Sequence, residues 1–105
     1  MKVAIARRAR ADLKEAVLWW AEHRSSEQAL RWYGRALHAI RSLEKNPERH
    51  PLADESAMFP FEVRQLTFSL GRKPTHRAVF TIRPDMVLVL RVRLLAQESL
   101  KPDEA

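Results

Sequence analysis

The sequence contains no cysteine in its 105 residues, and only two glycines. It therefore has no disulfide framework, no thiolate metal site and no cysteine nucleophile. Two glycines are too few for the glycine-rich loops that cradle nucleotide phosphates. No apolar run approaches the ~18 residues of a membrane span, and the N-terminal apolar run is too short for a signal peptide. We expect a cytoplasmic protein with no cofactor, no metal ion and no membrane partner.

Positive charge is abundant by contrast. Nineteen Lys and Arg residues face thirteen Asp and Glu residues, which gives a net charge of +6. Such a balance favours an acidic partner, either nucleic acid or an acidic protein segment. The apolar content of 46% suits one core in a chain of this length. We expect one domain over residues 1–97 and a loose polar tail over residues 98–105.

Three consecutive antiparallel strands are predicted in the C-terminal half. The runs Phe61–Leu70, Thr75–Ile82 and Met86–Leu94 are apolar or β-branched, and turn signals containing Pro74 and Pro84 separate them. Successive side chains of a strand point to opposite faces. Strict alternation gives each strand one apolar face and one arginine face. In the last strand it places Met86, Leu88, Leu90, Val92 and Leu94 opposite Val87, Val89, Arg91 and Arg93.

Two helices are predicted before these strands, from Arg8 to His23 and from Ser25 to Lys45, where apolar residues recur at helical spacing. Ser25 and Gln28 have the spacing of a capping box, and Asn46-Pro47 ends the second helix. Tyr33 lies on its expected buried stripe, and Gly34 is interpreted as a site of close helix packing. The fold class is α+β: an N-terminal strand, an antiparallel two-helix hairpin and a three-stranded antiparallel sheet packed on the hairpin.

Several short motifs together resemble the RelE/ParE toxin superfamily of bacterial toxin–antitoxin modules, also called plasmid-stabilisation proteins. The likeness extends over residues 3–97 and is closer to ParE-like members. It is carried by Ala9-x-x-Asp12-Leu13, the helix from Ala29 to Leu43, Asn46-Pro47, Val63-Arg64-Gln65-Leu66, His76-Arg77-Ala78-Val79-Phe80-Thr81-Ile82 and Val89-Leu90-Arg91-Val92-Arg93.

The resemblance implies a toxin that a cognate antitoxin holds inactive, with a toxin–antitoxin hetero-oligomer as a possible assembly. RelE-like members cut messenger RNA on the ribosome, and ParE-like members poison DNA gyrase. Many members carry a pattern similar to V-x-H-x-x-R after the last strand. Here Leu94 stands at the histidine position and Gln97 at the arginine position. Leucine cannot transfer a proton, so the resemblance favours a gyrase poison, with the ribonuclease or a non-toxic, antitoxin-binding member as alternatives.

Ribonuclease chemistry would need a base, a positive group for the developing charge and an acid. The resemblance assigns the positive groups to Arg64 and Arg77, and His76 is the best-placed proton-transfer residue, although alternation points it away from Arg77. Other proton-transfer groups are His50, Glu62 and Tyr33. An ordinary ion-paired arginine remains the alternative for Arg64 and Arg77. For the basic face of Arg77, Arg91 and Arg93, the hypotheses are a dock for an acidic antitoxin or a solvated sheet face.

Overall fold

Two helices and four strands make up the regular structure in a computed structural model that describes residues 1–105. Their bounds are β1 Lys2–Ile5, α1 Arg7–His23, α2 Ser26–Arg41, β2 Arg64–Phe68, β3 His76–Ile82 and β4 Met86–Leu94. The sheet order is β1-β4-β3-β2. The β2, β3 and β4 strands are antiparallel, and β1 runs parallel to β4. The predicted α+β architecture is confirmed.

Local capping explains where the second helix begins and ends. The Ser25 hydroxyl accepts a hydrogen bond from the Gln28 backbone N–H at 3.0 Å, as the spacing predicts. The helix ends at Arg41 and tightens into a 3₁₀ turn, Ser42–Glu44, a few residues earlier than expected. Asn46 then adopts a left-handed conformation with φ of 49°, and Pro47 follows it. Asparagine tolerates this conformation better than most residues, so the chain turns sharply here.

The main core lies between the hairpin and the sheet, where Trp32, Leu43 and Phe80 are fully buried. The expectation that Tyr33 is a core residue is wrong, because its side chain is 38% exposed. Trp32 takes the buried position, since a step of three residues from Ala29 fits the helical period as well as a step of four. The interpretation of Gly34 is also wrong: a Cβ placed there would meet nothing within 4 Å.

A β-bulge in β4 changes which side chains face the hairpin. Val79 pairs with Arg91, but Phe80 pairs with Val89, so Leu90 is an extra residue in β4. Before the bulge, Val87 and Val89 enter the hairpin core, and after it Val92 does. Leu90 packs with Val79 on the opposite side. Strict alternation therefore gave the wrong faces for the first half of β4, because one inserted residue inverts the parity.

The face of the sheet away from the hairpin is also covered. A second buried cluster forms there from the loop before β2, the sheet and the C-terminal segment: Ala53, Phe59, Val63, Val79, Leu90 and Leu100. Leu100 is 1% exposed, so the expectation of a loose tail is wrong. One apolar residue and its backbone N–H suffice to anchor the segment. Met58, expected at the core edge with Phe59, is instead 73% exposed. No helix has the length and apolar character needed to cross a membrane.

Candidate functional site

Arg77 of β3 is held in a buried ion pair. Its guanidinium donates to both carboxylate oxygens of Glu55, at 2.8 and 2.6 Å, and to the Gln65 side chain at 2.9 Å. Glu55 also accepts the backbone N–H of Leu100 at 2.7 Å. The Arg77 hydrogen bonds, helped by the Leu100 N–H, lower the pKa of Glu55 to about 2 against the opposing effect of burial. Arg77 therefore ties the loop and the C-terminal segment to the sheet.

Arg64, the other arginine of the predicted pair, is also engaged within the chain. It lies at the first position of β2, and its Nη1 donates to the backbone carbonyls of His50 at 2.7 Å and Glu48 at 3.2 Å. A looser contact of 3.7 Å joins it to Glu62, whose side chain is largely exposed. Arg64 therefore anchors the loop that follows α2, and about a fifth of its side chain remains exposed.

Arg91 is paired with a carboxylate of α1. Its guanidinium donates to both oxygens of Asp12, at 2.7 and 2.9 Å, and to the Glu104 carbonyl at 2.6 Å. The Asp12 carboxylate raises the pKa of Arg91 above its ordinary value despite partial burial. Asp12 also accepts the Val92 backbone N–H at 2.9 Å. Because β1 ends at Ile5, Asp12 satisfies a strand edge that β1 no longer covers.

Arg93 stands directly opposite Arg77 in the β3–β4 ladder. It is only 8% exposed, and it donates to the Glu98 carbonyl of the C-terminal segment at 3.1 Å. The expectation of an exposed basic face at Arg77, Arg91 and Arg93 is therefore wrong. The second core and the C-terminal segment cover these arginines, and Glu55 supplies negative charge beside Arg77 and Arg93, which stand close together. Their binding role stays a prediction.

A cleft of about 600 Å³ opens on the other side, between α1 and the ends of β3 and β4. We call it the strand-end cleft. It is lined by Trp19 and Trp20 from α1, Thr75 and His76 at the start of β3, and Leu94 and Gln97 at the end of β4. Trp19, expected to contact the next helix, is instead 46% exposed and stacks on His23 at 4.7 Å between ring centroids.

His76 forms part of the floor of this cleft. Its ring packs against Trp32 and Phe68, with centroids 5.0 and 5.8 Å away, and its Nδ1 lies 2.8 Å from the Thr75 hydroxyl. Burial lowers the pKa of His76 below its ordinary value, because the apolar surroundings disfavour the imidazolium. The ring is therefore neutral at pH 7. Leu94 is its direct partner across the ladder.

The three predicted catalytic residues do not come together. His76 and Arg77 are neighbours in one strand and point to opposite faces, as alternation predicts. Arg77 reaches Glu55 in the second core, His76 lines the strand-end cleft, and Arg64 binds loop carbonyls. Arg91 also lines the cleft, but Asp12 occupies its guanidinium. No three His, Cys, Asp or Glu side chains are grouped so as to hold a metal ion.

The sequence reasoning missed Glu55 and the full part played by Asp12, the two carboxylates that hold the arginines. Asp12 stood in the family-like motif, where it was interpreted only as an outer helix residue. Glu55 lies in a proline-rich loop with no period, and nothing local marks it. The one available signal was arithmetic: arginines on an apolar sheet need buried carboxylates, and few acidic residues are available.

Comparison with known proteins decides the family. Residues 3–98 match the family described as ParE toxin of type II toxin–antitoxin system, parDE. The chain belongs to the ParE toxin family. It is therefore the toxin component of a type II toxin–antitoxin system, and the RelE/ParE resemblance is confirmed on the ParE side.

A solved ParDE structure shares the ParE fold of this chain. The chromosomal ParDE toxin–antitoxin system from P. aeruginosa contains a chain with a TM-score of 0.74 and 21% identity, covering 90% of this chain and 95% of that one. At that identity the likeness concerns the fold. None of the curated proteins matches the sequence.

Proposed function

We propose that this ParE-family toxin acts by binding DNA gyrase in the cytoplasm, without catalysis, and that a cognate antitoxin neutralises it. The observation that carries the proposal is the separation of the candidate catalytic groups. A ribonuclease needs a proton-transfer group and a charge-stabilising group at one phosphate. Here the cleft holds a neutral imidazole, while Arg77 is committed to Glu55 on the opposite face of the sheet.

The residues at the end of β4 support the same conclusion. Leu94, which is 48% exposed, has no proton to transfer. Gln97 uses its side-chain oxygen to accept the Leu94 backbone N–H at 2.8 Å, so it shapes the end of the strand. A cleft with aromatic walls and a neutral floor suits the contact of an apolar protein segment better than the binding of a phosphodiester.

A ribosome-dependent ribonuclease is the second candidate, and one observation favours it. His76 is uncharged at pH 7 and lines a cleft wide enough for a nucleotide, with the Arg91 guanidinium in the same wall. If Asp12 released Arg91 on binding, an imidazole and a guanidinium would share one site. A degenerate toxin that only binds its antitoxin is the third candidate.

The first experiment induces the toxin alone in bacterial cells and follows DNA synthesis and translation by pulse labelling. We expect DNA synthesis to fall first and purified gyrase to lose supercoiling activity. An early fall in translation with new messenger RNA ends would reject the gyrase proposal. Normal growth at confirmed expression would favour the degenerate member. Restored growth on co-expression with the protein encoded beside the toxin is the expected sign of neutralisation.

Single-residue variants separate the two activities. Arg77 is unsuitable, because its removal leaves Glu55 buried without a partner and unfolding alone would abolish toxicity. His76→Phe keeps an aromatic ring against Trp32 and Phe68 and removes the imidazole. We expect His76→Phe and Arg64→Lys to remain toxic. Loss of toxicity in folded His76→Phe would support the ribonuclease.

A further inference from the structure

The outer side of the helical hairpin carries an exposed apolar groove that the isolated chain does not use. Its walls include Val17 and Leu18 of α1 and Leu30 and Tyr33 of α2, and its volume is about 390 Å³. We call this surface the hairpin groove. Leu30 is 69% exposed and Leu18 is 51% exposed. Contiguous apolar residues at such exposure mark interaction surfaces more often than single exposed ones do.

Gly34 lies on the same face of α2 as Leu30 and Tyr33, in the middle of the helix. Glycine in a helix interior is less favourable than alanine. A Cβ at this position would meet nothing within 4 Å, and the backbone φ is not positive. Neither packing nor conformation within this chain therefore requires a glycine. A helix surface without a side chain does permit the backbone of another molecule to approach closely.

Positive charge borders the hairpin groove. Arg10 and Lys14 line its α1 side, and Arg31 and Arg35 are exposed on the neighbouring face of α2. None of these four side chains takes part in an ion pair, since the three ion pairs of the chain involve Arg64, Arg77 and Arg91. An occupant with an apolar stripe and acidic flanks would complement this surface in both respects.

We propose that an acidic amphipathic helix of the antitoxin docks in the hairpin groove, with its backbone closest to α2 at Gly34. The inference rests on the proposed neutralisation and names its surface. Lys14 to Leu18 and Leu30 to Gly34 each cover about one helical turn, on the order of 6 Å, at 1.5 Å per residue. A docked helix of two to three turns would place apolar residues three and four apart into the groove.

The test measures toxin stability and antitoxin affinity on the same variants of the full-length chain. Gly34→Ala adds only a methyl group that the free toxin can accommodate. We expect it to raise the Tm of the free toxin by roughly 4–8 °C, because alanine favours the helix. The same change should weaken binding to the co-expressed antitoxin by about tenfold or more, because the partner backbone must move. Gly34→Gln should weaken binding further.

Matched controls lie on the turn between β2 and β3. A Cβ at Gly71 also meets nothing within 4 Å, so Gly71→Ala tests glycine replacement away from the groove. Lys14→Glu should lower the association rate and its salt dependence, and Lys73→Glu is the charge control. Equal antitoxin affinity of the wild type, Gly34→Ala and Gly34→Gln would overturn the docking proposal while a wild-type complex still upheld neutralisation. Absence of any complex would overturn both, and a Gly34-dependent toxin dimer would reassign the groove.

Discussion

The buried pair of Glu55 and Arg77 should dominate the acid sensitivity of the fold. Replacing Glu55 with Gln keeps the shape of the side chain but removes its charge, leaving the Arg77 guanidinium buried without a counter-charge. The Glu55 side chain is 3% exposed and that of Arg77 is 8% exposed, so water screens this loss little. Removing one partner of such a pair typically costs about 3–5 kcal/mol of unfolding free energy.

The pKa of Glu55 gives a second route to the same magnitude. A fall from 4.5 to about 2 on folding corresponds to roughly 3 kcal/mol at about 1.4 kcal/mol per pKa unit. Because the folded-state pKa is the lower one, this stability is fully present above the unfolded pKa of 4.5 and is lost as the pH falls towards 2. Below that range both states are protonated, and the charge contributes nothing.

Urea unfolding of the wild type and Glu55→Gln across pH tests this reasoning. We expect the wild type to be more stable by about 3 kcal/mol at pH 7, with the difference falling to about half near pH 3. The corresponding Tm loss at neutral pH is on the order of 12–24 °C. Asp54→Asn is the control, because Asp54 is exposed next to Glu55. A difference below about 1 kcal/mol at pH 7, or one that does not change with pH, would refute the argument.

Three further changes have expected outcomes. Leu100→Ala should cost about 2–4 kcal/mol in urea unfolding because Leu100 is 1% exposed in the second core, and a cost near zero would mean that the C-terminal segment is not docked in solution. Ser25→Ala should cost about 1 kcal/mol through loss of the Gln28 cap, whereas Ser26→Ala, its control, should change thermal stability little. Asp12→Asn should cost about 1–3 kcal/mol by weakening the Arg91 contact and the Val92 edge bond, and stability equal to the wild type would assign no net value to that pair.

The elements that the sequence predicted well are those with local chemical causes. Ser25, Asn46 and Pro47 act within a few residues of their own positions, so the helix ends could be read from the chain. Helical spacing and β-branched runs likewise predicted the order of the elements, which the structure confirms. The stripe on α2 was ambiguous, because Trp32 and Tyr33 both fit the period and the preference for Trp32 comes from the sheet beneath it.

The elements that sequence reasoning missed depend on distant residues. No local signal marks Leu90 as a bulge, since its neighbours are equally apolar and β-branched. The Glu55–Arg77 contact joins residues 22 apart through an irregular loop, and the segment 98–105 looked polar because only Leu100 carries its burial. The prediction of an exposed basic face failed for this reason: the residues that cover it come from segments with no periodic pattern.

The pairing of the first strand with the last one has a consequence during protein synthesis. Lys2 lies beside Met86 in the parallel β1–β4 ladder, and Leu100 completes the second core. A growing chain cannot form either contact until these last segments have left the ribosome, because their partners do not yet exist. The toxin should therefore acquire its fold only at release, so a chain interrupted before β4 would emerge without an assembled sheet and without toxic activity.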